Sequence, residues 1–123
     1  MKLHLDRHAG LNVITDYDDG YVLINQQRHR TSVIVLPRQL ITDWENNGFD
    51  TLQTADFERL RDLQPEIVLL GTGTRQRFPA PALLRPLIEA RIGYEIMNTG
   101  AACRTYNILM GEGRNVAAAL LFA

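Results

Sequence analysis

The sequence predicts an α/β fold in which a strand-rich first third precedes a βαβαβ unit with parallel strands. Three observations carry this prediction. Ile67-Val68-Leu69-Leu70 is an uninterrupted apolar run, as expected of a strand covered on both faces. Helix-period apolar spacing follows it twice, each time leading into another apolar run. The first third instead carries short β-branched and aromatic runs divided by turn residues.

Taken in order, Asn12 to Asp16 and Tyr21 to Asn25 read as strands separated by the turn Asp18-Asp19-Gly20. Gln26 to Arg30 is polar and reads as another turn. Thr31 to Leu36 is a strand ended by Pro37, which suits the first turn of a helix. Leu40, Ile41 and Trp44 would share one face of that helix, with Asn46-Asn47-Gly48 stopping it. A helix from about Ala55 to Leu63 carries Phe57, Leu60 and Leu63 on one face, with Thr54 or Asp56 as its cap. Pro79-Ala80-Pro81 leads into a helix bearing Leu84, Leu87, Ile88 and Ile92, and Gly93 ends it. Tyr94 to Met97 is the next strand, Thr99 to Met110 the next helix, and Asn115 to Phe122 the closing strand. Such βαβαβ units place their strands parallel, joined by right-handed crossovers. The loops after Leu70 and Met97 then emerge at the same end of the sheet.

The totals bound the function. The 123 residues fit a single domain spanning 1–123, and 46% apolar content is that of a folded globular chain. A net charge of −1 and the lack of interleaved aromatic and basic residues oppose nucleic-acid binding. Lys2 is the only lysine. The charges of Met1 to His8 do not suit a signal peptide. The run Val116 to Ala123 is far short of the roughly 20 residues of a membrane-spanning helix. The expectation is a cytoplasmic protein without a membrane anchor. Cys103 is the only cysteine, so no intrachain disulfide and no cysteine-based metal cluster can form.

The residues with most chemical potential lie in two loops. Gly71-Thr72-Gly73-Thr74 and Asn98-Thr99-Gly100-Ala101-Ala102 are glycine- and threonine-bearing, and Arg75, Arg77 and Arg104 lie in or beside them. The second opens directly into a helix, whose first N–H groups favour an anion. Ligands of open α/β sheets commonly sit at this end. The candidate anion or ligand site is therefore Gly71, Thr72, Gly73, Thr74, Arg75, Thr99, Gly100, Ala101, Cys103 and Arg104. The plainer reading is structural: tight-turn glycines, with Thr99 as an ordinary helix cap. Neither the dinucleotide fingerprint nor a P-loop is present. Cys103 sits in the first helical turn beside Arg104, features that favour a thiolate. All three histidines, His4, His8 and His29, lie in the first third, and a buried inert cysteine is favoured. His4 and His8 share a ligand-like spacing but read as a solvated terminus. Ser32, the only serine, lacks the strand-turn-helix elbow of hydrolase nucleophiles. No catalytic residue, metal site or cofactor is assigned.

Three segments together carry a resemblance: Glu66 to Gly73, Tyr94 to Leu109 and Glu112 to Leu120. They resemble the widespread family of small domains of unknown function in bacteria and archaea. Its animal members include the mitochondrial NADH dehydrogenase complex assembly factor three and the adipogenesis-associated protein. The resemblance covers nearly the whole chain and is most specific in its last half. It implies an N-terminal β-hammerhead-like layer packed on the C-terminal α/β part, and no catalytic mechanism. It favours a non-catalytic accessory or assembly-type domain with an unidentified protein partner. The residues alone keep a small-anion or small-molecule binding protein, possibly enzymatic, as the alternative.

Overall fold

The computed structural model describes residues 10–122; His4 and His8 lie outside them. The chain forms β1 (Ile14–Asp18), β2 (Tyr21–Ile24), β3 (Gln27–His29), β4 (Val33–Leu36) and β5 (Gln39–Ile41). These precede α1 (Thr54–Asp62), β6 (Ile67–Thr72), α2 (Arg85–Glu89), β7 (Gly93–Met97), α3 (Thr99–Gly111) and β8 (Val116–Leu121). Strands β1, β2 and β3 form an antiparallel sheet, and the other five form a mixed sheet in the order β5-β4-β8-β6-β7. Within it β6 pairs in parallel with both β7 and β8, so the expected βαβαβ unit is present.

Alternation along the central strands builds two cores. Val33, Val35, Leu69, Val116, Ala118 and Leu120 face α3 and the small sheet, meeting Cys103, Tyr106, Met110, Val22 and Ile24. Ile34, Leu36, Val68, Leu70, Ala117 and Ala119 face the opposite way, onto Trp44, Phe57, Leu60 and Leu87. Two-sided burial explains why β6 and β8 read as continuous apolar runs rather than alternating ones.

The first third departs from the sequence reading in three places. Asn25 and Gln26, both with positive φ (52° and 71°), make the turn, and Gln27 to His29 is strand rather than turn. Such a pair fits the two-residue hairpin that strand twist prefers. No helix follows Pro37: Pro37 and Arg38 instead turn the chain into β5, with Leu36 opposite Gln39 and Ile34 opposite Ile41. A proline's fixed φ serves a tight turn as well as a helix start. Ile41 and Leu40 consequently pack toward different cores instead of sharing a helical face. β4 and β5 also leave the N-terminal layer to join the large sheet, β4 running antiparallel to β8.

The helices hold with adjustments. Asp56 stabilises the start of α1 from its third position, accepting the Gln53 N–H at 2.8 Å, while its other oxygen accepts the Trp44 indole N–H at 2.9 Å. The helix expected around Leu84 to Ile92 is a 3-10 turn (Pro81–Leu84) followed by the short α2, and Ile88 faces solvent. The cap of α3 is Asn98, whose Oδ1 accepts the Ala101 N–H at 2.8 Å, not Thr99.

Candidate functional site

Parallel β6 and β7 deliver both glycine loops to one end of the sheet, as the topology required, and β8 brings Leu121 and Phe122 there too. Two hollows flank the resulting rim. One, of about 360 Å³, lies between it and the β1–β2 turn, with Tyr17, Asp18, Asp19 and Arg30 on its far wall. The other, of about 300 Å³, is bounded by Asn47 to Asp50, Arg75 and Arg77. Gly73, Thr74 and Phe122 line both.

The polar groups at the centre of this rim bond chiefly to one another. Thr99 is buried; its Oγ1 accepts the Gly73 N–H at 2.8 Å and donates to Leu121 O at 2.7 Å. The Thr99 N–H donates to Gly73 O at 2.8 Å. One threonine thus ties the ends of β6 and β8 to the start of α3. Thr72 does similar work one strand over. Its hydroxyl lies 2.7 Å from Arg75 O and 3.2 Å from Met97 O, and it accepts the Arg77 N–H at 3.1 Å. At the start of α3, Ala101 N–H donates to Asn98 Oδ1, the ordinary capping bond of a helix N-terminus.

Gly71 and Gly100 serve close packing. A Cβ on Gly71 would stand 3.0 Å from Thr99 Cα and 3.2 Å from the Ala102 Cβ, so its absence lets α3 lie against β6. A Cβ on Gly100 would stand 3.0 Å from Cε1 of Tyr17. The hairpin is seated there, and the Tyr17 hydroxyl accepts from Arg104 Nη1. Arg104, on the solvent side of α3, is thereby turned toward the hairpin.

The remaining candidates separate. Thr74 and Arg75 are exposed on the rim. Ala101 is half-buried in the first turn of α3. Arg77 pairs with Asp50 at 2.7 Å and lies 4.2 Å over the Phe49 ring. That guanidinium holds the exposed Asp50 carboxyl below its ordinary range. Cys103 is fully buried, and burial pushes its thiol up to about 12 against the smaller opposing pull of Arg104. The thiolate reading of its position is overridden by its direction: it points into the core beneath α3.

Sequence reasoning missed the pins that hold the small sheet on α3. Asn107 accepts the Ile14 N–H at 3.0 Å and donates to Ile14 O at 2.7 Å, acting as a side-chain substitute for a neighbouring strand. The buried Tyr106 donates to Asn12 O at 2.7 Å. Nothing local signals these contacts, since their partners lie in the first hairpin. Asp18 and Asp19, read only as a turn, help wall the larger hollow.

Among the described residues no helix is long and apolar enough to cross a membrane, and no group of three or more histidine, cysteine or acidic residues is placed to hold a metal ion.

Comparison with known proteins gives several matches. The chain is 32% identical over 120 residues to NADH dehydrogenase [ubiquinone] 1 alpha subcomplex assembly factor 3 of Bos taurus, covering 95% of this chain and 65% of that protein. It is 32% identical over 114 residues to the same-named protein of Drosophila melanogaster, covering 89% and 58%. It therefore spans less than two-thirds of the length of these relatives. A crystal structure of a Bordetella parapertussis protein superposes with a TM-score of 0.86 at 39% identity, covering 93% of this chain and 98% of that one. A family model described as protein of unknown function (DUF498/DUF598) matches residues 14–121, and the chain belongs to that family.

Proposed function

We propose that this chain is a non-catalytic accessory protein of the assembly-factor type, acting by holding a protein partner. The observation that supports this most is the match to assembly factors of NADH dehydrogenase over nearly the whole chain. The site geometry is compatible with it. The threonine hydroxyls and helix-start amides of the rim join strands to helix, a scaffold's use of polar groups. The exposed perimeter, with Asp18, Asp19, Arg30, Thr74 and Arg75, remains to contact another molecule. A polar rim around partly apolar hollows is a common composition for a non-obligate interface.

The test is in-cell crosslinking of the tagged full chain in its own host, followed by mass spectrometry. A parallel thermal-shift screen uses inorganic phosphate, nucleotides and small carboxylates. The expected result is one reproducible protein partner in stoichiometric yield. The reading is overturned by the absence of such a partner together with a ligand-induced rise in melting temperature that Arg75→Ala abolishes.

A further inference from the structure

The large sheet ends in β7, whose outer edge has no strand beside it among the described residues. The alternation of its backbone can be read from three contacts. Gly93 N–H donates to Glu66 O, and Met97 O receives the Thr72 hydroxyl, so Gly93, Glu95 and Met97 turn their peptide groups toward β6. Tyr94 and Ile96 turn theirs outward, and Ile96 O is met there by the Gln76 amide at 2.8 Å. The other end of the sheet is defended better. β5 is only three residues long, and its first residue, Gln39, turns its peptide groups inward to Leu36 of β4. β7 has five residues and carries neither proline nor lysine, two of the usual protections of an edge.

The surroundings of β7 are apolar. Tyr94 lies on the same sheet face as Ile96, the side covered by α2. On that side Ile88 of α2 is 53% exposed. Phe78, 69% exposed, follows the Gln76 anchor in the loop that runs past this edge.

We propose that β7 is a self-association edge, at which two copies of this chain pair antiparallel about a two-fold axis at Tyr94. The register follows from which backbone groups are still open. With the axis at Tyr94, that residue exchanges two hydrogen bonds with Tyr94 of the second copy. Ile96 then faces Ile92 of the second copy, and Ile96 N–H can donate to Ile92 O. The reverse bond of that pair would need Ile92 N–H and Ile96 O, which are already satisfied by Leu87 O and Gln76. An axis at Glu95 fails on two grounds: it requires the occupied Ile96 O, and it sets Glu95 against Glu95. With the axis at Tyr94, Glu95 faces Gly93 of the second copy, and no like charge stands directly opposite it. The open backbone groups of the edge are thus complementary to themselves about the axis at Tyr94. The proposal does not rest on an assembly role.

Sedimentation velocity of the full chain over a range of concentration tests it, with Tyr94→Pro as the comparison. Proline there removes an outward N–H and no bond to β6, so circular dichroism and melting temperature should hold while the two-chain species disappears. The register is tested by mild oxidation of Tyr94→Cys and Glu95→Cys. Facing residues of a hydrogen-bonded pair lie about 5.5 Å apart at Cα, within disulfide reach. Two copies of residue 95 are separated by two further positions along the strand and are out of reach. A Tyr94→Cys crosslink with none from Glu95→Cys is the expected result. If Tyr94→Pro does not fold, the cysteine pair decides alone. A single-chain mass at every concentration, a two-chain species undiminished in folded Tyr94→Pro, or crosslinking through Glu95→Cys overturns the proposal.

Discussion

Replacing Thr99 with valine removes one hydroxyl while keeping a β-branched side chain of nearly the same shape. That hydroxyl makes two buried hydrogen bonds, from Gly73 N–H and to Leu121 O. Valine leaves a buried donor and a buried acceptor without these partners. Each such loss costs about 1–3 kcal/mol, and limited relaxation at the strand ends recovers part of it. The expected destabilisation is therefore about 2–4 kcal/mol, against a total of about 5–15 kcal/mol for a protein of this kind. In melting temperature this corresponds to a fall of about 10 °C. Urea denaturation monitored by Trp44 fluorescence gives the free energy, and calorimetry gives the temperature. Thr99→Ser, which keeps the hydroxyl, should recover most of the loss. A Thr99→Val protein within about 0.5 kcal/mol of the parent would refute the reasoning, since that is the scatter of an ordinary surface substitution.

Further outcomes follow from the same geometry. Gly71→Ala should lose about 1–3 kcal/mol, because the new methyl group meets the Thr99 backbone at 3.0 Å; an unchanged denaturation midpoint would show that α3 can move away. Tyr106→Phe should cost about 1–2 kcal/mol through the lost bond to Asn12 O, and amide exchange should accelerate in the small sheet before the large one. Cys103 should resist an aromatic disulfide reagent at neutral pH and react only on unfolding. Its thiol is neutral in the folded state up to about 12, whereas an unfolded cysteine ionises near 8.5, so its contribution is intact below the lower value. Stability should fall as pH rises between the two, and Cys103→Ala should remove that part of the alkaline loss.

The second half of the fold was readable because two of its strands, β6 and β8, are buried on both faces. Ile67 to Leu70 and Val116 to Leu121 have few alternatives as uninterrupted apolar runs, and the intervening helices keep them parallel. The first half was less readable for local reasons. Pro37 fits either a helix start or a tight turn, and only the pairing of Ile34 with Ile41 decides between them. Asn25 and Gln26 adopt positive φ without a glycine to announce it. At the rim, the meeting of the two loops followed from strand direction. The fate of Thr99 did not: whether its hydroxyl faces a ligand or Gly73 N–H depends on a 2.8 Å contact set by how closely α3 approaches β6. The pinning of Ile14 by Asn107 was equally hidden, since an exposed-looking asparagine on a helix carries no mark of a strand brought to it from far along the chain.

The place of β8 in the large sheet has a kinetic consequence. It lies between β4 and β6, yet follows both in the chain, pairing Val33 with Leu120 on one side and Ile67 with Val116 on the other. During synthesis, the β4–β5 hairpin and the β6–β7 pair emerge with their inner edges uncovered, and the β4 and β6 strands at those edges are apolar along almost their whole length. Until β8 inserts, each is a template for pairing with a neighbouring nascent chain. Closure through such distant contacts is slow relative to helix formation. The interval before insertion is therefore when this protein most needs a chaperone, and substitutions that delay β8 should lower soluble yield before they alter the melting of whatever protein does fold.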